Sequence, residues 1–527
     1  MKIALAQLNY TVGDIDGNTS KIIDAIQRAK AEKADLVIFA EQSVSGTPAF
    51  DLLRKTTFLE LCEDALVEIA SCCDGIAALI GLPILTAEGA ASAAALIQDR
   101  KVLRYIGKKY ITARREMGFL VPSKGYEYVT VKGQKCAVVV GDDLSHLHDL
   151  DRSTDLVISL NARKYGKGLM SYRYEMMRNL AFVEGVDLVL VNQVGGSTEI
   201  VYDGTSGVIN RRGELMLVMK SFEEDFALYD TEHAKPYGSV PYTTYNDRTR
   251  MIYEAARLGL RDFFRKNGYH KASIGLSGGI DSAVVACLAA DALGRENVRA
   301  LLMPSQFSSD HSVEDAKQLA ENLGIEYNVI PITEIYRSVL DTLKPVIGGR
   351  EFDFTEENVQ TRIRTILLMA VQNKTDYVLL NSSNKSENAL GWCTLYGDTA
   401  GAFSPTGDLY KTEMYDVARY INRTFGNIIP ENILDKEPSS ELRPDQKDSD
   451  MLPPYEVVDA ILYRMIEEGQ HREEIINAGF DSEVVEKIHS MIMRNEKKRY
   501  QFPPVLRLSS CAFGHERLMP LTNKYGD

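Results

Sequence analysis

The stretch Ser277-Gly278-Gly279-Ile280-Asp281-Ser282 is the most informative part of this 527-residue chain. It follows a short apolar run at 273–276 and precedes a helical pattern. A glycine turn between a strand and a helix directs backbone N–H groups and the positive end of the helix dipole at one point, which suits a phosphate group. Ser277 and Ser282 add hydroxyl donors, and Asp281 adds a carboxylate that needs a divalent cation between itself and phosphate. The stretch therefore predicts a phosphate-binding loop.

Composition and charge limit the classes of function. The sequence is 45% hydrophobic and 25% charged, which is typical of a globular protein, and it is long enough for two or three domains. A net charge of −14 argues against nucleic acid as a partner. The seven cysteines include no C-x-x-C pair, which favours reduced thiols over disulfides or zinc. The sequence shows no signal peptide and no apolar run of ~18 residues, so we expect a cytoplasmic protein without a membrane segment.

Two regions of the chain differ in their pattern. The first region contains short β runs that alternate with helical stretches, which is typical of α/β architecture. Residues 234–245 are rich in turn formers and lack periodicity, which indicates an interdomain linker. We therefore predict domains at 1–240 and 247–527. In the second domain a helix over 249–266 precedes the phosphate-binding loop, β/α alternation continues to residue 410, and the remaining chain is mainly helical.

Polar motifs follow the predicted strands of the second domain. Residues 303–309 follow the next strand, at the edge where an open α/β sheet binds ligands. A helical pattern near Glu357 places Asn358 and Arg362 four residues apart on a polar face, and its apolar residues, including Ile366, repeat with a period of 3.6. Solvated surface is the alternative interpretation of that polar face. Three further motifs come next: Asn384-Lys385-Ser386-Glu387, Thr394-Leu395-Tyr396-Gly397-Asp398 and Lys411-Thr412.

Together these motifs resemble the synthetase domain of NAD synthetases, and the phosphate-binding loop resembles the pyrophosphate loop of N-type ATP pyrophosphatases. The resemblance covers residues 249–527, including tail motifs at 452–455, 495–499 and 512–514. It implies a Rossmann-like ATP pyrophosphatase domain of the adenine nucleotide alpha hydrolase type. It also implies that ATP adenylates the nicotinate carboxylate of deamido-NAD with release of pyrophosphate, after which ammonia displaces AMP.

The same resemblance implies roles for individual residues. Asp281 and Glu387 match the ligands of Mg²⁺, and Ser382 and Ser439 stand where the family more often has threonine. Trp392, the only tryptophan, suits the pyridine ring of the substrate, with a place in the hydrophobic core as the alternative. The implied ATP-binding residues are Ser277, Gly278, Gly279, Ile280, Asp281, Ser282, Ser382, Lys411 and Ser439. The implied deamido-NAD-binding residues are Asn358, Arg362, Glu387, Trp392, Thr394, Asp398 and Lys498.

The first domain resembles the nitrilase-like glutaminase that makes ammonia in two-domain members of the family, which implies an α-β-β-α sandwich. Glu41 matches the general base and Lys108 the lysine that stabilises the oxyanion. The expected position of the nucleophilic cysteine is occupied by Gly141, which has no side chain to attack an amide. Cys136 lies five residues upstream, so it faces the other side of the strand and is expected to be a buried hydrophobe. We predict that Glu41 and Lys108 pair with each other.

Two other features of the first domain bear on its activity. Residues 161–165 replace the small, serine-rich stretch that helps relatives to hold glutamine. His146 and His148 are spaced so that they could begin a metal site, but no third ligand is evident, and we expect surface loop residues.

The leading hypothesis is an NAD synthetase that uses free ammonia and carries a degenerate glutaminase triad of Glu41, Lys108 and Gly141. One alternative is that a separate glutaminase partner supplies the ammonia. Another is a binding or regulatory relative, which the intact ATP motifs argue against, and a hydrolase would need a thiol at 141. The resemblance implies Mg²⁺ as cofactor, deamido-NAD, ATP and ammonia as substrates, and a homo-oligomer, either a dimer or an octamer.

Overall fold

The computed structural model describes residues 1–235 and 247–525. The chain divides into two compact units, Met1–Arg248 and Thr249–Asp527, and each combines helices with β-sheet. The linker predicted at 234–245 lies almost entirely outside the described residues. Of the helices in the described part of the chain, none is long and apolar enough to cross a membrane.

Two six-stranded sheets form the centre of the first unit, with strand orders β14-β1-β2-β3-β4-β5 and β13-β12-β9-β8-β7-β6. The strands of the first sheet are β1 (Lys2–Gln7), β2 (Leu36–Ile38), β3 (Ala77–Thr86), β4 (Gly89–Gln98), β5 (Lys101–Gly107) and β14 (Asp225–Asp230). Those of the second sheet are β6 (Glu127–Val131), β7 (Gln134–Val140), β8 (Leu156–Asn161), β9 (Asp187–Asn192), β12 (Gly207–Ile209) and β13 (Leu215–Val218). A separate two-stranded sheet pairs β10 (Val194–Ser197) with β11 (Ile200–Asp203).

Helices cover the outer faces of these sheets. Helices α1 (Ile15–Ala31) and α2 (Thr56–Ser71) share a hydrophobic core with the first sheet, and α3 (Leu169–Glu184) shares one with the second. A third core joins the inner faces of the two sheets, where Leu5 and Val138 are both fully buried. Because both faces of the central strands are covered, their sequences read as continuous apolar runs. This arrangement is the α-β-β-α sandwich that the sequence predicts.

The direction of the strands brings three predicted residues of the first domain to one edge. Strand β2 runs parallel to β1 and β3, and β7 runs parallel to β8. Glu41 follows β2, Lys108 follows β5, and Gly141 follows β7 as the first residue of the 3₁₀ helix Gly141–His146. Another 3₁₀ helix, Phe50–Arg54, precedes α2.

The second unit contains a four-stranded parallel sheet of order β17-β16-β15-β18. Its strands are β15 (Lys271–Gly275), β16 (Val298–Leu302), β17 (Glu326–Val329) and β18 (Tyr377–Leu379). Its longer helices are α4 (Arg248–Lys266), α5 (Ile280–Leu293), α6 (Asp310–Leu323), α7 (Thr333–Ile347), α8 (Phe354–Lys374), α10 (Lys411–Phe425), α12 (Tyr455–Ile466) and α14 (Ser482–Arg494). Its shorter helices are α9 (Lys385–Leu390), α11 (Glu431–Asp435), α13 (Arg472–Asn477), α15 (Glu496–Arg499) and the 3₁₀ segments Arg295–Asn297 and Asp448–Asp450.

Two details of this unit refine the sequence prediction. The side chain of Ile366 is 67% exposed, so the apolar face predicted for α8 is narrower than its 3.6-residue pattern indicates. Ile363, which belongs to the predicted face, and Leu368, which does not, are buried in the core, and Val359, Leu367 and Val371 of the predicted face pack against it. Single parallel bridges from Leu380 to Phe403 and from Ser404 to Val505 extend the sheet beyond β18, which brings the C-terminal segment to its edge.

Candidate active sites

The predicted phosphate-binding loop joins β15 to α5 at the carboxyl end of a central strand. The Oγ atoms of Ser277 and Ser282 lie 3.1 Å apart, and the backbone N–H of Gly279 donates to Ser277 Oγ at 3.2 Å. Gly278 has a φ of +79°, in the left-handed region that favours glycine. A Cβ on Gly278 would lie 2.2 Å from the backbone oxygen of Ser312, in α6. The loop therefore requires glycine at 278 both for its backbone angle and for this close approach.

A lysine and two carboxylates meet beside this loop. The ammonium of Lys411, the first residue of α10, lies 2.6 Å from Asp281 Oδ2 and 3.0 Å from Glu387 Oε1. Burial and the nearby Asp281 raise the pKa of Glu387, although Lys411 opposes this. The two carboxylates raise the pKa of Lys411 well above its ordinary value despite burial, so the ammonium is charged at neutral pH. One ammonium thus lies between two carboxyl groups, those of Asp281 and Glu387, which the family resemblance matches to Mg²⁺ ligands.

The Asn384-Lys385-Ser386-Glu387 motif holds this cluster in place. The Asn384 side chain accepts a hydrogen bond from the Glu387 backbone N–H at 2.9 Å, which caps α9, and its Nδ2 donates to Asp281 Oδ1 at 3.0 Å. Ser386 Oγ accepts from the Lys411 backbone N–H at 2.8 Å and donates to Asp459. One short helix therefore fixes both Asp281 and Glu387.

Lys385 points away from this cluster into the protein and is completely buried. Its ammonium lies 2.8 Å from Asp408 Oδ1 and 2.5 Å from Glu467 Oε1, and it donates to Ser509 Oγ at 2.7 Å. The carboxylates raise the pKa of Lys385 although burial lowers it. Lys385 therefore joins the active-site helix to α12 and to the C-terminal segment.

Replacement of Lys385 by methionine is expected to reduce the free energy of unfolding by about 3–5 kcal/mol, because two buried carboxylates lose their counter-ion. Denaturant unfolding monitored by circular dichroism measures this change. Lys271→Met is the matched control, since Lys271 forms an exposed ion pair with Asp376 at 3.0 Å and such pairs contribute about 1 kcal/mol or less. Equal losses in the two variants would contradict a structural role for Lys385.

A cavity of about 270 Å³ lies at the carboxyl ends of β15, β16 and β18. Met303 and Pro304, from the predicted ligand-binding stretch 303–309, form part of its wall. The predicted site residues that line it are Ser277, Gly279, Ser382, Asp398 and Ser439. The cavity therefore places several predicted ATP-binding residues around one space next to the phosphate-binding loop.

Two basic side chains that the sequence analysis did not select also line this cavity. Arg364 donates through Nε to the Met303 carbonyl at 3.0 Å, and burial lowers its pKa to about 10, which leaves it charged at neutral pH. Lys436 donates to Ser312 Oγ at 2.7 Å. Arg364 stands two residues after Arg362 in the same motif, a spacing that could have drawn attention to it.

Apart from Glu387, which lies beside Lys411, the predicted deamido-NAD residues gather around residues 391–398. Asn358 Oδ1 accepts from Thr394 Oγ1 at 2.7 Å, and Arg362 donates to the Leu395 carbonyl at 3.2 Å. Lys498 donates to the carbonyls of Gly391 and Cys393 at 2.7 and 2.8 Å. The polar face of α8 therefore contacts a loop, although Arg362 remains exposed.

Two side chains in this loop differ in their surroundings. Asp398 Oδ1 accepts from the Thr394 backbone N–H at 2.7 Å, and burial raises the pKa of Asp398 to about 6. Trp392 is half-buried and packs against the hydrophobic core of α9, α12, α13 and α14. Trp392 thus has the contacts expected of a tryptophan in the hydrophobic core, which was the alternative interpretation. Its role at the pyridine ring stays a prediction.

In the first unit, Glu41 and Lys108 form a buried ion pair, with Lys108 Nζ 3.2 Å from Glu41 Oε1. Ser92 Oγ donates to the same carboxylate at 2.9 Å. Glu116, which the sequence analysis missed, lies 2.8 Å from Lys108 Nζ, and Asp142 Oδ2 lies 3.6 Å from it. Burial lowers the pKa of Lys108, but the three carboxylates raise it more, so the lysine is charged. The predicted pairing of Glu41 with Lys108 is confirmed.

Gly141 lies close to this ion pair. Its φ is +57°, and a Cβ on it would lie 2.6 Å from Glu41 Oε2 and 2.8 Å from Lys108 Nζ. The ion pair therefore fills the space into which a nucleophilic side chain would project. Cys136 is buried between the two sheets, where burial raises the pKa of its thiol to about 12. A thiol with this pKa in this place does not attack a substrate.

The two histidines of this region have ordinary partners. His146 stacks on Tyr110 with ring centroids 4.0 Å apart, and His148 Nδ1 lies 3.0 Å from the carboxylate of Asp149. Within residues 1–235 and 247–525, no cluster of three or more His, Cys, Asp or Glu side chains is arranged to hold a metal ion.

The fold and these sites define a class: a nitrilase-like α-β-β-α unit in one chain with an ATP pyrophosphatase unit. Residues 252–502 match the NAD synthase family model, and residues 2–98 match the carbon-nitrogen hydrolase model. The glutamine-dependent NAD(+) synthetase of Aquifex aeolicus is 40% identical over 568 aligned positions that cover 100% of both chains. That of Thermotoga maritima is 38% identical over 570 positions, covering 100% of this chain and 99% of its own.

A solved structure agrees with these sequence matches. The glutamine-dependent NAD+ synthetase of Acinetobacter baumannii in complex with ADP is 35% identical, covers 99% of this chain and 98% of its own, and superposes with a TM-score of 0.78. The chain therefore belongs to the glutamine-dependent NAD(+) synthetase family, and the family and fold class predicted from the sequence are confirmed.

Proposed function

We propose that the chain is an NAD synthetase that amidates deamido-NAD with ATP and free ammonia. The nicotinate carboxylate attacks the α-phosphorus of ATP, and the bond to pyrophosphate breaks. Ammonia then attacks the carbonyl carbon of the adenylate, the bond to AMP breaks, and a proton is released. Family membership supports the overall reaction, and the donor rests on the architecture of the first unit.

One observation carries the synthetase part of this proposal. Asp281, Glu387 and Lys411 come from three separate stretches of sequence and meet beside the phosphate-binding loop, next to a cavity about 270 Å³ in volume. Loop N–H groups and hydroxyls suit phosphate, and the cavity offers room for the nucleoside. Positioning and charge neutralisation supply most of the catalysis of phosphoryl and adenylyl transfer, so no protein nucleophile is needed.

The residues present fit a Mg²⁺ ion. Asp281 and Glu387 are hard oxygen ligands, and their shared contact with the Lys411 ammonium supports a cation at this point. Bound Mg²⁺ supplies neutralisation of the phosphate charge at this site. In this proposal Ser277 and Ser282 donate to phosphate oxygens, Asn384 keeps Asp281 in orientation, and Lys411 stabilises the leaving pyrophosphate.

We assign deamido-NAD to the surface built by α8 and residues 391–398. Arg362 and Lys498 both hydrogen-bond to backbone carbonyls of this loop and offer positive charge to an anionic dinucleotide. Asn358 and Asp398 hold Thr394 from two directions, which keeps the loop in one conformation. These roles, like those of Ser382, Ser439 and Trp392, follow the family resemblance.

Gly141 is the reason for proposing ammonia as the nitrogen donor. A glutaminase of this class forms a covalent thioester, which requires a nucleophile where this chain has a glycine. Lys108, the residue matched to oxyanion stabilisation, is held between Glu41 and Glu116. Arg163, in the stretch 161–165, donates to Asn161 and Ser145 and brings a bulky side chain to the same edge.

Gly141→Cys is expected to leave glutamine unused as a donor, because a thiol alone does not restore the glutamine-holding stretch, where Arg163 brings a bulky side chain to the same edge. The variant is also expected to melt about 2–5 °C lower, since a left-handed non-glycine residue costs about 1–2 kcal/mol. Gly133→Cys is the control for backbone strain alone, because Gly133 has a φ of +79° and no atom lies within 4 Å of the point that its Cβ would occupy. Glutamine-dependent NAD formation by Gly141→Cys would contradict a closed pocket.

The reaction itself is tested with deamido-NAD labelled with ¹⁸O in both oxygens of the nicotinate carboxylate. With ATP, Mg²⁺ and ammonium, mass spectrometry is expected to find one ¹⁸O in AMP and one in NAD, because the attacking oxygen leaves with AMP. Production of ADP, or unlabelled AMP, would overturn the adenylate route. We also propose a cytoplasmic location. We propose in addition a homo-oligomer, either a dimer or an octamer, and analytical ultracentrifugation of the full chain tests this oligomeric state.

A further inference from the structure

Lys411 lies between the two carboxyl groups to which the proposed function assigns a divalent cation. Its ammonium forms ion pairs with both Asp281 Oδ2 and Glu387 Oε1, and its side chain is only 4% exposed. The other Asp281 oxygen accepts from Asn384 Nδ2 at 3.0 Å. The lysine therefore uses the oxygens that the proposed function gives to Mg²⁺.

An ammonium and a divalent cation repel each other strongly at contact distance in a partly buried site. The ammonium already balances negative charge on the two carboxyl groups. A free divalent cation would thus meet both a competitor for its ligands and a like charge. Binding of the divalent cation becomes favourable once the Lys411 ammonium donates its hydrogen bonds to another acceptor.

The phosphate-binding loop provides the place for that acceptor. Asp281 belongs to the loop itself, next to the Ser282 hydroxyl and the N-terminus of α5. Phosphate oxygens held by this loop would lie beside the Lys411 ammonium, and a lysine side chain can rotate between neighbouring acceptors. The anionic phosphates would also add ligands for the divalent cation.

We propose that the Lys411 ammonium occupies the divalent-cation site until nucleotide binds. Binding of the divalent cation then depends on bound nucleotide. Without nucleotide the ammonium holds Asp281 and Glu387 together; with nucleotide it moves to phosphate and releases both carboxylates. This inference rests on the proposed function for the identity of the site, and it adds an order to the binding events.

Electron paramagnetic resonance of Mn²⁺ with the full-length protein tests this proposal without turnover. Wild type is expected to bind Mn²⁺ at least about 10-fold more weakly without nucleotide than with a non-hydrolysable ATP analogue, after correction for Mn²⁺ bound by the free analogue. Lys411→Met is expected to bind Mn²⁺ at least about 10-fold more tightly than wild type when nucleotide is absent. Lys411→Arg keeps the positive charge and is expected to bind Mn²⁺ as weakly as wild type when nucleotide is absent.

Two controls locate the effect. Lys447→Met removes an exposed ion pair with Glu437, at 2.8 Å, and is expected to bind Mn²⁺ like wild type. Adding Asp281→Asn to Lys411→Met is expected to abolish the gain. Equally tight Mn²⁺ binding by wild type with and without the analogue would overturn the proposal, even if Lys411→Met failed to fold. The ¹⁸O experiment reports separately on the reaction, so failure of one is distinguishable from failure of the other.

Discussion

Asp281→Asn is expected to lower kcat for NAD formation by about 100- to 1,000-fold while the protein remains folded. Asparagine has the same shape, but it has no negative charge to offer to a metal ion or to Lys411, which lies 2.6 Å from Oδ2. The loss of charge acts where the pyrophosphate leaves, so kcat is expected to fall more than the KM for deamido-NAD rises. Steady-state kinetics with saturating ammonium measure both.

The control for this variant is Asp376→Asn. Asp376 forms an exposed ion pair with Lys271 in the same unit, so its replacement is expected to leave kcat within about twofold of wild type. A similar small effect for Asp281→Asn would contradict the assignment of Asp281 to the metal and phosphate site. Circular dichroism of both variants separates loss of catalysis from loss of fold.

Gly278→Ala is expected to reduce kcat/KM for ATP at least about 100-fold, because small displacements of a positioning loop have effects of this size. The added Cβ would approach the Ser312 backbone oxygen to 2.2 Å, and neither the loop nor α6 can give way by rotating a side chain. The left-handed φ adds about 1–3 kcal/mol of strain, so the melting temperature is also expected to fall by several degrees.

Gly279→Ala provides a matched control one residue away. Gly279 has a φ of −94°, which any residue can adopt, and its Cβ would meet only Ser277 Oγ, at 3.3 Å. The melting temperature of Gly279→Ala is therefore expected to stay close to that of wild type. If both variants melted at the same lowered temperature, the contact with Ser312 would not be the cause.

The sequence predicted the parts of the fold that depend on local pattern. Short apolar runs and the glycine turn at 277–282 are encoded by neighbouring residues, and they appear in the structure as β15, the loop and α5. The apolar pattern of α8 was less reliable, because which residues face the core depends on its neighbours in the fold. Ile366 fits the 3.6-residue pattern and is nevertheless exposed.

The candidate sites were predictable to a different degree. Asp281 was indicated by the chemistry of its own loop, but Glu387 and Lys411 were selected through family motifs, since residues so far apart in sequence show no local sign that they meet. Glu116 was missed because it lies in an irregular segment without periodicity, and only the folded chain brings it 2.8 Å from Lys108. The buried position of Lys385 likewise follows from partners at the end of α12 and in the C-terminal segment, which no nearby residue indicates.

A measurement of which donor supplies the amide nitrogen of NAD tests the central claim most directly. The purified full-length chain is incubated with deamido-NAD, ATP and Mg²⁺, either with ¹⁵N-ammonium or with ammonia-free glutamine labelled with ¹⁵N in its amide. Mass spectrometry then measures ¹⁵N in the amide of NAD. We predict ¹⁵N-labelled NAD from ammonium and no NAD above background from glutamine, because Gly141 cannot form the thioester. Labelled NAD from glutamine would contradict the loss of the glutaminase.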